Sequence, residues 1–544
     1  MLDPSVYDDG FARDGLPPPE LWPAMPADRP ELAYPKRLNA AVELLDRMVE
    51  GGSGERPCIR APGGTVWSYA ELLDKANRIA AILTSELGVR PGNRVLLRAA
   101  NTPMLAACWF AILKAGAIVV TTMPLLRARE LAYIADKAQI GFALCDAALA
   151  GELAAAQAKV PGLRRIVHFH STAADGLEAR MARQTGAFAN IIPSHDDVAL
   201  IGFTSGTTGA AKATMHFHRD VLAICDLFPR STLKPGPDDI FTGTPPLGFT
   251  FGLGGLLLFP LRAGASTLLL ERATPETLLE AIAAHRVTSL FTAPTMYRAL
   301  TDLAPRYDLT SLNSCVSAGE FLPGPVLEAW RKASGLTIID GLGSTELLHI
   351  FIAAAGEAVR PGATGRAIPG YEARIVDEAM REVPPGTVGR LAVRGPTGCR
   401  YLADPERQRA YVQDGWNLTG DAYRMDEDGY FWYQARTDDM IISAGYNISG
   451  AEIEAVLLEH PAVRECAVIA APDSGRGQIV KACIVLKDPG AAGPDLTKAL
   501  QDFVKGEIAP YKYPRAIEFL TELPRTETGK VQRFVLRERS RSSR

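Results

Sequence analysis

The stretch of this chain with the densest chemistry is residues 203–213, Phe-Thr-Ser-Gly-Thr-Thr-Gly-Ala-Ala-Lys-Ala. Its glycines let the backbone approach an anion and turn N–H groups toward it. Its hydroxyl side chains and the ammonium of Lys212 add hydrogen-bond donors and positive charge. The stretch therefore predicts a phosphate-holding loop.

Other well-known phosphate, hydrolase and dinucleotide motifs do not occur in the sequence. A Walker A loop needs a Gly-Lys-Ser/Thr unit, whereas two alanines separate Gly209 from Lys212 here. No GxSxG elbow occurs, and no GxGxxG follows a predicted strand. A flexible surface turn rich in glycine and threonine remains an alternative for the loop taken alone.

The elements around the loop predict where it lies. The apolar run Val198-Ala199-Leu200-Ile201 is typical of a buried strand. The loop then follows the carboxyl end of that strand, which is where open α/β sheets bind ligands.

Helical and strand patterns alternate over most of the chain. A capping box at residues 68–71 begins a helix through Leu83, and Thr274 caps another helix. The same rhythm predicts helices at 104–113, 129–137 and 325–332, and strands at 94–97, 117–120, 266–270, 289–291, 314–317 and 337–340. Such alternation favours layered α/β units with largely parallel sheets.

The two ends of the chain differ from this rhythm. Residues 1–36, rich in proline and acidic side chains, predict an irregular arm on the surface. Shorter strands joined by Gly/Pro/Asp turns are expected at 371–377, 388–394 and 429–434, and the pattern is mixed again from Met440.

Composition limits the class of protein. A chain of 544 residues predicts two to four folding units, and a net charge of -4 with a pI near 6.1 excludes an overall basic footprint for nucleic acid. Eight cysteines, scattered singly, fit reduced thiols in the cytoplasm. The N-terminus shows no signal-peptide pattern, and glycines and a proline interrupt the most apolar segment, 247–261, so no membrane contact is expected.

Four further stretches accompany the loop, in this order: Gly341-Leu342-Gly343-Ser344-Thr345-Glu346, Leu418-Thr419-Gly420-Asp421, Arg436-Thr437-Asp438-Asp439 and Pro524-Arg525-Thr526-Glu527-Thr528-Gly529-Lys530. With these motifs the chain resembles the adenylate-forming superfamily of acyl-CoA synthetases, nonribosomal-peptide adenylation domains and firefly-type luciferases. Residues 340–351 are most similar to the benzoate-CoA and 2-aminobenzoate-CoA ligases.

The resemblance implies a two-step reaction. A carboxylate attacks the α-phosphate of ATP to give an acyl-adenylate and pyrophosphate, and the thiol of coenzyme A then displaces AMP. Positioning and charge neutralisation dominate catalysis of such transfers. The implied cofactors are ATP, Mg²⁺ and coenzyme A as co-substrate.

The resemblance also assigns roles to residues. The catalytic residues would be Lys530, Lys212, Thr345 and Glu346. Lys530 would bridge the acyl carboxylate and the α-phosphate, Thr345 would contact the α-phosphate, and Glu346 would bind Mg²⁺. Asp421 would bind the ribose hydroxyls and Arg436 would assist at ribose or phosphate. The nucleotide would contact Thr204, Ser205, Gly206, Thr207, Thr208, Gly209, Ala318, Gly319, Glu320, Asp340, Gly341, Leu342, Asp421, Tyr433 and Arg436.

Each of these residues taken alone has a structural alternative. Asp421 is typical of a turn, Glu346 of an acid at a helix N-terminus, and Lys530 of a solvated charge. Only the joint order of the motifs favours the functional interpretation.

The acid would bind in a flat slot. By resemblance its walls are Phe249, Thr250, Phe251, Ala318, Gly343, His349 and Ile350. Small side chains at Ala318 and Gly343 leave room for a ring, which favours benzoate or 2-aminobenzoate, with a medium-chain aliphatic acid as the rival. His349 fits either a hydrogen bond to an ortho substituent or an ordinary core position.

The resemblance implies an α/β fold with a large multi-subdomain N-terminal domain of layered helices and sheets, residues 1–435, and a small mobile α+β C-terminal lid domain, residues 440–544. Asp438 would lie at the hinge between them, residues 436–439. Coenzyme A would contact the lid at Ser443, Ala444, Gly445 and Tyr446.

Four positions depart from the family pattern. Ala211 replaces a proline, Leu342 an aromatic residue, Ala435 a glycine and Ile442 a lysine. The last puts in doubt a coenzyme A contact at residue 442.

Three functions remain open at this stage. The first is an aryl-CoA ligase that acts on a small aromatic acid with ATP and coenzyme A, with a homodimer as one candidate assembly. The second is a stand-alone adenylation module that loads a carrier protein, and the third is a binding protein without catalysis.

Overall fold

The computed structural model describes residues 2–26, 29–204, 211–436, 439, 441–443, 446–473, 477–508, 512–526 and 529–542. Its helices are α1 (Phe11–Asp14), α2 (Tyr69–Ala81), α3 (Pro103–Lys114), α4 (Ala128–Lys137), α5 (Ala150–Gln157), α6 (Leu177–Met181), α7 (His218–Phe228), α8 (Thr250–Leu253), α9 (Phe259–Arg262), α10 (Pro275–His285), α11 (Pro294–Thr301), α12 (Gly324–Ser334), α13 (Pro405–Tyr411), α14 (Gly450–Glu459), α15 (Pro494–Glu507) and α16 (Arg533–Ser542).

The strands are β1 (Pro57–Ala61), β2 (Thr65–Ser68), β3 (Arg94–Arg98), β4 (Ile118–Thr122), β5 (Phe142–Asp146), β6 (Arg165–Phe169), β7 (Val198–Thr204), β8 (Lys212–Phe217), β9 (Ile240–Gly243), β10 (Ser266–Leu268), β11 (Ser289–Thr292), β12 (Ser314–Ala318), β13 (Ile338–Gly343), β14 (Ile350–Ala353), β15 (Arg366–Ala367), β16 (Glu372–Val376), β17 (Val388–Arg394), β18 (Val412–Gln413), β19 (Trp416–Met425), β20 (Phe431–Arg436), β21 (Ile441–Ser443), β22 (Tyr446–Ile448), β23 (Val463–Asp473), β24 (Gly477–Leu486) and β25 (Ala516–Phe519).

A six-stranded sheet carries the predicted phosphate loop. Its strand order is β6-β5-β3-β4-β7-β8. The first five strands are parallel, and β8 returns antiparallel to β7. Strands β3 and β5 are buried along their whole length, as expected for a parallel sheet with both faces covered.

A nine-stranded sheet contributes the motif that begins at Gly341, together with the predicted adenine segment that begins at Ala318. Its order is β15-β14-β13-β12-β11-β9-β10-β1-β2. The block from β13 to β1 is parallel, and antiparallel strands flank it on both sides. The carboxyl ends of β12 and β13 lie side by side, because Ala318 pairs with Gly341.

The remaining sheets are largely antiparallel. Strands β16, β17, β19 and β18 form one sheet, and β20 pairs with β19. Beyond it come the hairpin β21–β22 and the sheet β23-β24-β25, on which α14 and α16 pack. The predicted α/β fold class, with a large N-terminal and a smaller C-terminal domain, is confirmed.

Most predicted elements have the expected type. The capping box at Ser68 and Glu71 is present, and Thr274 caps α10 with its hydroxyl. Several boundaries differ by two or three residues, and the strand predicted to end at Asp340 continues to Gly343 as β13. Tertiary pairing explains this difference, because Gly341 to Gly343 bond antiparallel to β14, and local composition does not show that partner.

Helix α3 lies at the centre of the largest hydrophobic core, with every residue from Met104 to Lys114 buried. All eight cysteines are free, and seven of them are buried. Within the described ranges, no helix combines the length and the apolarity that a bilayer crossing needs.

The last residue of α3 brings a charge into this core. The Lys114 ammonium is fully buried and donates to both carboxylate oxygens of Asp46, at 2.5 and 2.6 Å. Asn190 donates to the same carboxylate at 2.7 Å. The pair ties the N-terminal segment to α3, since neither charge has water to replace its partner.

We expect Asp46→Ala to lower the free energy of unfolding by about 3–5 kcal/mol, because it leaves the buried Lys114 ammonium without a counter-charge. Asp502→Ala is the matched control, since the Lys505–Asp502 pair is exposed on both sides and such pairs contribute little to stability. Urea and thermal unfolding measure both variants. Equal shifts in the two variants would contradict a structural role for Asp46.

Candidate active site

Two neighbouring strands flank the predicted phosphate loop in the sequence. β7 ends at Thr204, β8 begins at Lys212, and these two residues pair directly. Ser205, Gly206, Thr207, Thr208 and Gly209 lie outside the described residues. The Lys212 ammonium lies 5.8 Å from the centre of the Tyr401 ring, so the start of β8 contacts a part of the chain that is distant in sequence.

Thr345 and Glu346 lie beside these strands, in the turn after β13. The hydroxyl of Tyr401 donates to Oε1 of Glu346 at 2.7 Å, and the Glu346 carboxylate is buried. Nε2 of His216 lies 2.7 Å from the carbonyl oxygen of Thr345. A Cβ on Gly202 would meet the Thr345 methyl at 2.9 Å, so β7 and the turn are in close contact.

Sequence reasoning missed Tyr401 and His216. His216 had a visible signal, since it is a polar residue inside the apolar strand β8, and its burial lowers its pKa to about 4. Tyr401 belongs to none of the five motifs, and its sequence neighbourhood carries no signal. Burial and the nearby Glu346 charge raise the pKa of Tyr401, which keeps its hydroxyl a donor.

Asp421 and Arg436 form an ion pair across two antiparallel strands. They are paired residues of β19 and β20, and Nη1 of Arg436 lies 3.0 Å from Oδ1 of Asp421. Burial raises the pKa of Asp421, and the Arg436 guanidinium opposes that rise. The same Arg436 nitrogen donates to the Thr419 carbonyl at 3.2 Å.

The ends of β12 and β13 bring the predicted adenosine contacts together. Asp340 is buried, and burial raises the pKa of its carboxyl well above the usual range, although Thr364 donates to it. Gly319 has a φ of +91°, which favours glycine at the turn after Ala318. Thr295 donates to Glu320 at 2.6 Å.

Leu342 is in β13, and Tyr433 contacts the residue that follows Glu320. Leu342 is partly buried against the main core, and its predicted contact with adenine stays a prediction. The Tyr433 ring stacks on Phe321 at 5.3 Å, directly after Glu320, and packs edge-on against Tyr423.

Lys530, near the C-terminal end of the chain, interacts electrostatically with Glu320, Glu346, Asp421 and Arg436, and these side chains together with Thr345 form the cleft. Residue 530 is exposed, yet nearby protein atoms desolvate its ammonium and lower its pKa. The carboxylates of Glu320, Asp421 and Glu346 oppose that shift, and Arg436 adds to it. The structure therefore brings Lys530, Asp421, Arg436 and Glu346 into one electrostatic environment.

Two of the residues predicted to line the acid pocket, Phe251 and His349, lie among aromatic rings. The His349 ring is only 2% exposed and lies 4.5 Å from Phe259, 5.8 Å from Phe251 and 5.8 Å from Phe228, measured between ring centres. Burial lowers its pKa to about 3, so the ring is neutral. Its Nε2 lies 3.4 Å from the Phe251 carbonyl oxygen, and its Nδ1 has no hydrogen-bond partner in the described structure.

Gly343 and Ile350 are next to this histidine, and the other predicted pocket residues lie at the start of α8 and the end of β12. Phe249 is the N-cap of α8 and Thr250 its first residue, and both are partly buried. Gly343 pairs with Ile350, and a Cβ there would meet the His349 carbonyl oxygen at 2.7 Å. Ala318 is 5% exposed at the end of β12.

The predicted hinge and coenzyme A residues are only partly described. Asp438, Ala444 and Gly445 lie outside the described residues. Ser443 ends β21 and donates to the Gln478 carbonyl at 2.7 Å, while the backbone of Tyr446 begins β22. Arg298, on α11, donates to the Arg464 carbonyl at 2.7 Å and links the two parts of the chain.

The chemistry of the cleft suits a triphosphate held with a hard cation. Within the described ranges, no group of three or more His, Cys, Asp or Glu side chains could hold a metal ion. A single carboxylate, that of Glu346, beside the Lys212 strand fits Mg²⁺, which takes one or two carboxylates and completes its shell with phosphate oxygens and water.

Comparison with known proteins gives matches over nearly the whole chain. The family model described as AMP-binding enzyme matches residues 46–401, and that of the AMP-binding enzyme C-terminal domain matches 452–530. The benzoate–CoA ligase of Thauera aromatica is 34% identical over 513 residues, 93% of this chain and 97% of the relative. The mitochondrial acyl-coenzyme A synthetase ACSM3 of Homo sapiens is 32% identical over 94% of this chain and 91% of its own.

Solved structures are similar over the same length. The anthranilate CoA ligase AuaEII in complex with anthranoyl-AMP superposes with a TM-score of 0.89 at 34% identity, covering 95% of this chain and 99% of that one. A benzoate CoA ligase from Burkholderia xenovorans LB400 gives 0.84 at 32% identity, covering 92% of this chain and 100% of that one.

We expect the Lys530 amine to react with acetic anhydride at lower pH than the exposed Lys332 on α12, because a lowered pKa leaves more neutral amine at any given pH. Pulsed labelling followed by mass spectrometry gives the two pH profiles. Coincident midpoints for Lys530 and Lys332 would contradict the predicted environment of Lys530.

Proposed function

The chain belongs to the AMP-binding enzymes, among the AMP-forming acyl-CoA ligases, and from this premise we propose that it joins an aromatic acid of the benzoate or 2-aminobenzoate type to coenzyme A. The observation that carries the proposal is the convergence of Glu346, Asp421, Arg436 and Lys530 on one cleft beside the strand that begins at Lys212. These residues come from five separated stretches, and binding of one shared ligand would account for their proximity.

In the first step a carboxylate oxygen of the acid attacks the α-phosphorus of ATP, and the bond to the β-phosphate oxygen breaks. Lys212 and the loop before it would neutralise the departing pyrophosphate. Asp421 would hold the ribose through its hydroxyls, oriented by Arg436 at 3.0 Å. Tyr433 and the Ala318–Glu320 turn would enclose the adenine.

Lys530 would lie between the acid and the α-phosphate. Its ammonium reduces the repulsion between two anions that must come together, which is a barrier of several kcal/mol in a site of low dielectric constant. Glu320, Asp421 and Glu346 favour the charged form of this lysine and oppose the desolvation that lowers its pKa.

Mg²⁺, when bound at Glu346, would neutralise charge on the phosphate oxygens. In the second step the thiol of coenzyme A attacks the acyl carbon, a thioester forms and AMP leaves with the electron pair of the broken C–O bond. Ser443 and the hairpin that follows it remain the proposed contact for coenzyme A, with Asp438 as the proposed hinge.

The aromatic region around His349 favours an aromatic acid. Phe251 contacts both His349 and Phe291, with ring centres 5.8 and 5.7 Å apart, and ring edges pack well against another ring. Neutral His349 has a buried nitrogen, Nδ1, that could accept from an ortho amino group, which favours 2-aminobenzoate over benzoate. A medium-chain aliphatic acid stays the rival, since apolar walls also accept an alkyl chain.

Two broader attributes belong to the same proposal. Eight free cysteines in the described chain fit a reducing compartment such as the cytoplasm. Free coenzyme A as acceptor separates the ligase from a carrier-protein loading module, which would use the free thiol poorly.

We predict that Lys530→Ala reduces pyrophosphate formation by at least about a hundredfold, since it removes a charge needed in that step. Thioester formation from synthetic aroyl-AMP and coenzyme A should change by less than about threefold. Lys332→Ala on α12 is the matched lysine control. Equal loss of both half-reactions would contradict the role given to Lys530.

Acid preference is tested by pyrophosphate release with benzoate, 2-aminobenzoate, hydroxybenzoates and octanoate. We expect His349→Leu to lower the ratio of kcat/KM for 2-aminobenzoate over benzoate by about tenfold, the value of one neutral hydrogen bond. His285→Leu, at the end of α10, should leave the ratio unchanged. A ratio that is unaffected in His349→Leu, or octanoate as the best acid, would overturn this assignment.

A further inference from the structure

Two consecutive residues of the cleft, Thr345 and Glu346, each accept a hydrogen bond from one side chain. A carbonyl oxygen only accepts, so the 2.7 Å contact between the Thr345 oxygen and His216 means that Nε2 carries the proton and donates. The hydroxyl of Tyr401 donates to Glu346 at the same distance, 2.7 Å.

Backbone hydrogen bonds join the segment that carries Tyr401 to β8, the strand that carries His216. The N–H of Met215 donates to the Arg400 carbonyl at 2.8 Å, and the N–H of Leu402 donates to the Ala213 carbonyl at 2.9 Å. Thr214 and Tyr401 form the β-bridge between these bonds. Any shift of residues 400–402 along β8 would therefore move Tyr401 relative to His216.

A fully buried ion pair fixes residues 400–402 against β8 and the start of α7. Nη1 of Arg400 lies 2.7 Å from Oδ2 of Asp220, and both side chains are 0% exposed. The same Oδ2 accepts the N–H of Phe217 at 2.9 Å, where β8 turns into α7. The Arg400 guanidinium also lies 3.9 Å from the centre of the Phe217 ring.

Such a pair contributes little net stability, because taking two charges out of water opposes their attraction. Its direct effect is geometric. The bond from Arg400 to Asp220 fixes residue 400 against the start of α7, and thereby fixes the register between the segment that carries Tyr401 and the strand that carries His216.

We propose that four residues position the cleft for ATP: His216, Tyr401, Asp220 and Arg400. They hold Thr345 by its carbonyl and Glu346 by its carboxylate, in the arrangement in which these two residues would bind ATP with Mg²⁺. The inference rests on the proposed function for its kinetic consequences. Outer partners of this kind typically change activity or ion affinity by about 10–100-fold when removed.

The decisive comparison is His216→Leu with His216→Gln. Leucine removes the donor, whereas the glutamine amide presents an N–H at the same end of the side chain. We expect His216→Leu to lower kcat for pyrophosphate formation by about 10–100-fold with the KM of the acid unchanged, and His216→Gln to stay within about threefold of the parent protein.

Tyr401→Phe tests the second donor, with the same expected loss in pyrophosphate formation. For the ion pair, Arg400→Met combined with Asp220→Asn removes both charges at once, because either change alone leaves a buried charge without its partner. Arg394→Met with Glu372→Gln is the matched control, since that pair has the same 2.7 Å contact but is exposed.

Two further measurements separate positioning from folding. Thioester formation from pre-made acyl-AMP should remain within about threefold in every variant, since it does not use the triphosphate end. Calorimetric binding of ATP with Mg²⁺ should weaken by about tenfold in His216→Leu and not in His216→Gln.

Parallel loss of both half-reactions with a lowered unfolding temperature would overturn the proposal, as would normal pyrophosphate formation in His216→Leu. If the parent protein released no acid-dependent pyrophosphate, the proposed function would fail by itself. The binding comparison would then still decide the inference, because equal ATP affinities in the leucine and glutamine variants would reject it.

Discussion

The cleft holds several carboxylates close together. Each of them is paired with a donor from a neighbouring element, and the rest of the structure depends on this pairing. Tyr401 holds Glu346, Thr295 holds Glu320, and Arg436 holds Asp421. A carboxylate left without such a donor in a buried site would take up a proton and lose its use as a ligand. Asp340 shows how strong desolvation is, since burial raises its pKa well above the usual range even with Thr364 as a donor.

The layers of the fold supply these donors from different directions. The six-stranded sheet brings the Lys212 strand, the nine-stranded sheet brings the turns after β12 and β13, and the antiparallel sheet brings Asp421 and Arg436. Lys530 comes from the last sixteen residues of the chain. A site assembled at the meeting of several sheets can be changed in shape by a movement of one of them without unfolding the others.

The surroundings of His349, where the acid is proposed to bind, are neutral and apolar, in contrast to the charged groups of the cleft. Around His349 the lining is aromatic, and the histidine is neutral because burial lowers its pKa to about 3. Under the proposed function, a neutral, apolar end beside a charged end would bind a molecule with one carboxylate and one ring. The part of the substrate that reacts would then be separated from the part that is recognised.

The sequence by itself determined the helix–strand alternation, the caps at Ser68 and Thr274, and the identity of the motif residues, because periodicity, capping and turn chemistry are local properties. It also established the family resemblance, because the five motifs stand in a fixed order. Tertiary structure alone decided that β13 runs on to Gly343, that His216 supports Thr345, and that Tyr401 holds Glu346. Those contacts join residues 55 and 129 positions apart in the chain, and no local pattern records which distant partner a side chain will meet once the sheets have packed.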